Sequence, residues 1–325
     1  LIEPLFEAIN DKGKVFSLDM NHPYVNVWGN RLGEAHSIYN NYLQRSKNPG
    51  SVLVTGGSNP IRKLFVTAMQ RKGVPVSVFH HGNDVGARIV EHGHRAEASH
   101  VKNFVCPTRG IVENYRNSYS ALKSEKRTGT TYVSLGSDFY RNLVKTLRTR
   151  EELQKSNNSN NIMLIGRPLN GLRLLDSNGA FFLHKVDLEL RLVRSLRKAG
   201  YELTYKAHPE WAGVARTLFH RLDCEVLDEP FEKIWEKGEI YLFSTATSST
   251  FEFALSTARP VVLLNAGGNK WRGPCRRDLE HRCEIIDYDT NARGGAIVEV
   301  EKIVDALNNA EAKKQDYSFL ERWLF

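Results

Sequence analysis

Three short runs hold the side chains best suited to chemistry. In Phe243–Glu252 (FSTATSSTFE), an apolar strand gives way to Ser244, Thr245, Thr247, Ser248 and Ser249 before a helix expected from Thr250. The first N–H groups of a helix lack partners within it and carry partial positive charge, which suits a phosphate. Small hydroxyl side chains add donors there without blocking close approach. Ser248, Ser249 and Thr250 are therefore candidate nucleotide-binding residues. Ser249 and Glu252 also fit the capping pattern S-x-x-E, which needs no ligand. Turned toward a ligand instead, Glu252 would accept hydrogen bonds from sugar hydroxyls.

The second run is Tyr205–Glu210 (YKAHPE), where Pro209 pushes His208 into extended backbone. Lys206 and His208 stand two apart, so on extended chain they point the same way and can together neutralise the phosphate of a leaving nucleotide. A solvent-facing lysine beside a turn histidine is the plainer alternative. The third run, Phe79–Asn83 (FHHGN), closes an expected strand, on which neighbouring side chains face opposite ways. One imidazole then faces a ligand, and Gly82 permits a sharp turn beside it. His81 is the candidate general base, with His80 in reserve, because an imidazole titrates near neutrality; a packed histidine pair is the alternative.

Other groups promise less. His92, His94 and His100 have no metal-ligand spacing and are expected to be solvated turn residues, so no metal site is expected. Lys270–Arg277 (KWRGPCRR) reads as a basic loop with an exposed Trp271, able to steer an anion. Gly56–Pro60 (GGSNP) is a glycine turn without the G-x-G-x-x-G pattern, which argues against NAD chemistry.

The elements that must position these runs alternate between strand and helix. Strands are expected at Lys14–Leu18, Ser51–Thr55, Pro75–Phe79, Asn103–Cys106 and Tyr132–Leu135, with helices at Ile61–Gln70 and Ile111–Tyr119. The pattern restarts with strand Ile162–Ile165, closed by Gly166, and helix Phe182–Lys198. Strands Glu202–Lys206, Glu225–Leu227, Glu239–Phe243, Val261–Leu264 and Glu284–Asp287 follow, with helices at Trp211–Arg221, Phe231–Glu236, Thr250–Ser256 and Val300–Asn309. Strands separated by helices signal parallel sheets with crossover connections. Seen twice, on either side of the polar Glu151–Asn161, the pattern predicts an α/β protein with two Rossmann-like domains, residues 1–155 and 156–325, facing a central cleft. Ligands of such sheets bind beyond the carboxyl ends of the strands, which makes Gly166 a further nucleotide-binding candidate.

Composition narrows the partners. The 325 residues are 41% hydrophobic and 25% charged, as in globular proteins, and a formal charge of +8 favours phosphate-rich or anionic partners. No zinc knuckle, RNP-like aromatic pair or arginine block is present, so nucleic acid is not expected. Cys106, Cys224, Cys275 and Cys283 form neither a metal motif nor a disulfide scaffold and read as reduced cytosolic thiols. The opening LIEPLFEAINDKGK lacks a signal pattern, and no apolar run is long enough to span a bilayer.

These runs together resemble the GT-B-fold transferases that build bacterial capsules, teichoic acids and related surface polymers. That group includes CMP-sialic acid and CMP-Kdo transferases and CDP-glycerol-dependent glycerophosphotransferases. Its HG element looks like His81–Gly82, its HP element like His208–Pro209 and its SS element like Ser248–Ser249; Glu252 and Ala258–Leu264 (ARPVVLL) follow the same pattern. The resemblance spans both halves and implies a catalytic His81, and a His208 and serine loop that hold donor phosphate. This chain reads HGNDV where glycerophosphotransferases continue HG-T-P-x-K, and carries Glu252 where they often place aspartate. Both departures favour a CMP-sugar donor. The resemblance thus implies a cytoplasmic, metal-independent inverting glycosyltransferase with no cofactor, acting on a glycan or lipid-linked glycan acceptor and able to make peripheral contact with an anionic membrane. Glycerophosphate transfer, sugar-nucleotide epimerisation and non-catalytic anion or nucleic-acid binding are the alternatives.

Overall fold

The computed structural model describes residues 23–55, 59–80, 98, 100–121, 130–136, 138–153, 160–166, 182–246, 249–266, 271, 273–293 and 295–324. The expected strand Lys14–Leu18 lies outside them, as do His81, Gly82, His92, His94, Ser248 and Lys270. The chain divides into two compact units: Leu1–His80 with Arg95–Phe104 and Arg127–Thr131, and His81–His94 with Val105–Lys126 and Tyr132–Phe325.

Strands β1 (Val52–Thr55), β2 (Val76–Phe79), β3 (Asn103–Cys106) and β4 (Thr131–Ser134) form one sheet in that order, with β1 and β2 parallel. Helix α1 (Pro23–Gln44), which the sequence pattern did not reveal, packs on α2 (Pro60–Arg71) through Tyr42 and Phe65, their rings 5.1 Å apart. Asn59 starts α2 by accepting from the amides of Ile61 (3.0 Å) and Arg62 (3.3 Å), while Pro60 loses nothing at a position whose N–H has no helical partner. Helices α3 (Arg109–Ala121) and α4 (Asp138–Leu153) complete this part of the chain. The polar stretch read as a linker is not wholly irregular: Glu151–Leu153 close α4 and Asn161 opens the next strand.

The second sheet has seven strands. They are β5 (Asn161–Ile165), β6 (Glu202–Lys206), β7 (Glu225–Leu227), β8 (Ile240–Phe243), β9 (Val261–Ala266), β10 (Glu284–Thr290) and β11 (Ala296–Ile297), in the order β11-β10-β9-β8-β5-β6-β7. All pairings are parallel except β10 with β11. Interleaved are α5 (Phe182–Lys198), α6 (Ala212–Phe219), α7 (Phe231–Ile234), α8 (Ser249–Ser256), α9 (Gly273–Arg282), α10 (Val300–Ala310) and α11 (Ser318–Trp323). Successive residues along each strand feed opposite faces. Ile162, Leu164, Leu203, Leu242 and Leu264 join α5, α6 and α10 in one apolar cluster. On the other face, aromatic pairs Phe231–Tyr241 and Phe243–Phe251 bind α7 and α8 to β8. Burial on both faces explains why these strands read as continuous apolar runs instead of alternating ones.

Helices α4, α9 and α11 escaped the sequence reading as α1 did. The run Lys270–Arg277 is not simply a charged loop, because α9 begins at Gly273; Trp271 is half-buried and donates to Asn265 Oδ1 at 3.0 Å. Arg276 grips Asp287 with two nitrogens, at 3.1 and 3.0 Å, and reaches Glu280 at 2.6 Å. Burial alone would raise the Asp287 pKa, but the bonds from Arg276 and Asn265 hold it below the usual carboxylate range. Helix α11 returns to α3, burying Trp323, whose indole donates to Asp278 at 2.8 Å, while Arg322 reaches Glu113 at 3.0 Å. Gly110 makes that docking possible, since a Cβ there would lie 2.7 Å from both the Arg322 carbonyl oxygen and the Trp323 ring. Gly110→Ala is expected to loosen α11 at a cost of roughly 2 kcal/mol, read as a lower urea midpoint with faster proteolysis near the C-terminus. No helix among the described residues is long and apolar enough to cross a membrane.

Candidate functional site

Read from one edge, the six parallel strands run β7-β6-β5-β8-β9-β10, so the chain builds outward one way from β5 and then the other way from β8. Helix α5, which follows β5, and helix α8, which follows β8, pack on opposite faces of the sheet, and in open α/β sheets ligands bind beyond the strand ends at such a switch point. Two of the three runs singled out from the sequence, and Gly166, lie at these strand ends. Gly166 follows β5, the Lys206–Pro209 turn follows β6, and Ser244 opens the segment leading from β8 into α8.

Gly166 is close-packed. Its amide donates to the Lys206 carbonyl at 3.3 Å, and a Cβ would lie 1.9 Å from the Tyr205 hydroxyl. Lys206 is buried, and its ammonium donates to the carbonyl of Ala207. Burial lowers its pKa, against the opposing pull of Asp228, Glu232 and Glu229. His208 is half-buried in extended backbone (φ −65°, ψ 133°) and leads into the single turn Pro209–Trp211, as the proline requires. Lys206 and His208 thus both precede this turn, with the lysine deeper.

Helix α8 begins at Ser249, one residue earlier than the pattern predicts, so Ser249 is exposed in the first turn instead of preceding the helix as its cap. Thr250 follows, half-buried, and Glu252 is buried with Oε2 accepting from the Tyr140 hydroxyl at 2.8 Å. Tyr140 stands in the first turn of α4, a partner no local signal could have revealed. The other end of α8 is held by Arg282, which is fully buried and donates to the carbonyls of Leu255 (2.9 Å), Thr257 (2.7 Å), Arg259 (3.1 Å) and Ala254 (3.4 Å). A cation at the C-terminal end complements the helix dipole and leaves the opposite pole at the Ser249 end.

Below the ends of β6 and β8 lies a residue that the sequence reading missed. Glu189 of α5, 1% exposed, accepts from the Tyr205 hydroxyl (2.6 Å) and from Ser244 Oγ (2.8 Å). Burial and the Glu189 charge raise the Tyr205 pKa well above its ordinary value, so the phenol stays a neutral donor. The only signal would have been a carboxylate at a position of α5 flanked by apolar Val186 and Val193.

In the first sheet His80 packs edge-to-face on buried Phe104, ring centres 6.0 Å apart, and His81 lies outside the described residues. His100 is not the solvated residue its sequence suggests. It is half-buried, and burial, then the charge of Lys63, lowers its pKa to about 4. Because the folded pKa lies below the unfolded value of about 6.5, stability is intact above pH 6.5 and falls as pH drops toward 4. Between pH 7 and 4.5 the wild-type protein is expected to lose about 2 kcal/mol more than His100→Gln, measured by urea unfolding at both pH values.

No protein-family model and no curated protein sequence matches this chain. Solved structures do resemble it. Staphylococcus aureus MnaA, determined with UDP, aligns over 88% of this chain and 78% of its own, with TM-score 0.51 and 15% identity. A putative UDP-N-acetylglucosamine 2-epimerase from Listeria monocytogenes aligns over 87% and 73% (TM-score 0.48, 16% identity). A glycosyltransferase from Rickettsia africae aligns over 94% and 79% (TM-score 0.46, 14% identity). The chain has the GT-B type of α/β fold. At such identity the likeness speaks for fold, and the chemistry of a GT-B chain has to be argued from its own residues.

Proposed function

We propose that this GT-B chain is a metal-independent, inverting glycosyltransferase that moves a sugar from a CMP-activated donor, of the sialic acid or Kdo type, to a hydroxyl of a bacterial surface glycan. The supporting observation is the strand order, with its switch point between β5 and β8 flanked by Gly166 and the hydroxyl-rich approach to α8. Donor phosphate lies against the first amides of α8, with the hydroxyls of Ser248, Ser249 and Thr250 beside it. His208, set by Pro209, supplies a further donor, and Lys206 adds positive charge from below. Gly166 allows the nucleotide to approach backbone, and Glu252 accepts from sugar or ribose hydroxyls. Oriented amides and basic groups stabilise the charge that grows on phosphate as the sugar–oxygen bond breaks. His81 takes the proton of the acceptor hydroxyl as its oxygen attacks the anomeric carbon from the opposite side, which inverts that centre.

The test is a thermal-shift panel of CMP, UDP, CDP and GDP, followed by turnover of the matching sugar donor. CMP is expected to raise the melting temperature most, since a ligand bound only by the folded state stabilises it by mass action. His81→Ala is expected to lower turnover at least about a hundredfold with CMP affinity retained, whereas His208→Ala weakens CMP binding itself. Preference for UDP would move the donor assignment. Consumption of CDP-glycerol would favour polyol-phosphate transfer, and conversion of a nucleotide sugar without acceptor would favour an epimerase. Absence of any nucleotide effect would overturn the reading.

A further inference from the structure

We infer that Glu189 is a positioning residue that sets the geometry of the phosphate site from beneath the sheet edge. This rests on the nucleotide-binding reading above. Helix α5 buries Val186, Leu192, Val193 and Leu196 in the apolar cluster, and Glu189 occupies the same layer at 1% exposure. A carboxylate in such a place is costly unless hydrogen bonds satisfy it, and a well-packed apolar residue usually does as well for stability. What the carboxylate adds is direction. One oxygen holds Tyr205 at 2.6 Å and the other holds Ser244 at 2.8 Å.

Those two hydroxyls belong to strand ends on either side of β5. Tyr205 precedes Lys206 and the His208 turn, and Ser244 is the first residue after β8 on the way to Ser249. Between them, the Ser244 amide donates to the Ile165 carbonyl and the Gly166 amide to the Lys206 carbonyl, each at 3.3 Å. One carboxylate therefore ties the ends of β6 and β8, with the end of β5 held between them by those backbone bonds, and Gly166, Lys206, His208 and the approach to α8 all depart from these three ends. Tyr205 cannot drift to compensate, since its ring lies 4.2 Å from Phe219 and its hydroxyl already crowds Gly166.

The decisive variant is Glu189→Leu combined with Tyr205→Phe, which removes both members of one hydrogen bond together, so that neither is left facing the gap. Ser244 keeps the Ile165 carbonyl at 3.5 Å. This double variant is expected to melt within about 5 °C of wild type yet bind CMP at least about tenfold more weakly, by calorimetric titration well below the melting range. Glu189→Gln, which retains an acceptor, is expected to fall between the two. Equal CMP affinity in wild type and the double variant would overturn this inference and leave the transferase reading standing. Failure of wild type to bind any of the four nucleotides would overturn both. If the double variant does not fold, Ser244→Ala decides: about threefold weaker binding supports the role, and unchanged binding overturns it.

Discussion

Replacing Arg282 with methionine is expected to lower the free energy of unfolding by about 3–5 kcal/mol, the largest stability loss of any substitution considered for this chain. The guanidinium is wholly buried and donates to four carbonyls at the end of α8 and in the turn that follows it. Methionine matches much of the side chain's volume, so the loss would come from buried carbonyls deprived of a donor rather than from a cavity. Arg282→Lys is expected to recover only part of it, because an ammonium is a single point and cannot serve a fan of acceptors as a planar fork does. Urea unfolding gives the stability change. Since Arg282 anchors the helix whose first turn faces the proposed phosphate, the nucleotide-induced rise in melting temperature should shrink as well. A variant as stable as wild type would show that the surrounding carbonyls find other partners.

Gly166→Ala is expected to cost roughly 3 kcal/mol and to abolish measurable nucleotide binding. The added Cβ would lie 1.9 Å from the Tyr205 hydroxyl and 2.4 Å from its Cζ, distances that nothing but movement can relieve. Tyr205 has no exposure, so displacing it would break its bond to Glu189 and disturb the strand ends on both sides of β5. Gly213→Ala is the matched control. It lies in α6 with nothing within 4 Å of a Cβ, so alanine there should raise stability by about 0.5 kcal/mol through helix propensity. Calorimetric titration with CMP and urea unfolding on the pair separate a local steric conflict from a general intolerance of change. Binding by Gly166→Ala at wild-type strength would remove the β5 end from the site.

What the sequence determined by itself is what short range can encode. β-branched runs ending in glycine or a polar turn gave the strands at Asn103–Cys106, Glu202–Lys206 and Glu225–Leu227 without error. Pro209 set the backbone of His208, and the hydroxyl run marked the start of α8 to within one residue. Helices with weak amphipathic patterning, such as α9, and the helical reading of a strongly basic run were lost, because charge there signals pairing partners that a sequence does not name. Arg276 looks like an exposed cation until Asp287 and Glu280 close on it.

Only the tertiary structure decided which strand ends meet. The order β6-β5-β8 places Gly166 between Tyr205 and Ser244, although the three are far apart along the chain. The Tyr140 hydroxyl finds Glu252 across 112 residues, and Arg322 finds Glu113 across 209. Local propensity carries no information about such pairs, since any helix can present a tyrosine or a carboxylate. Their energies appear only after the chain has folded and water has been excluded around them, which is why these pairings were invisible where the short motifs beside them were not.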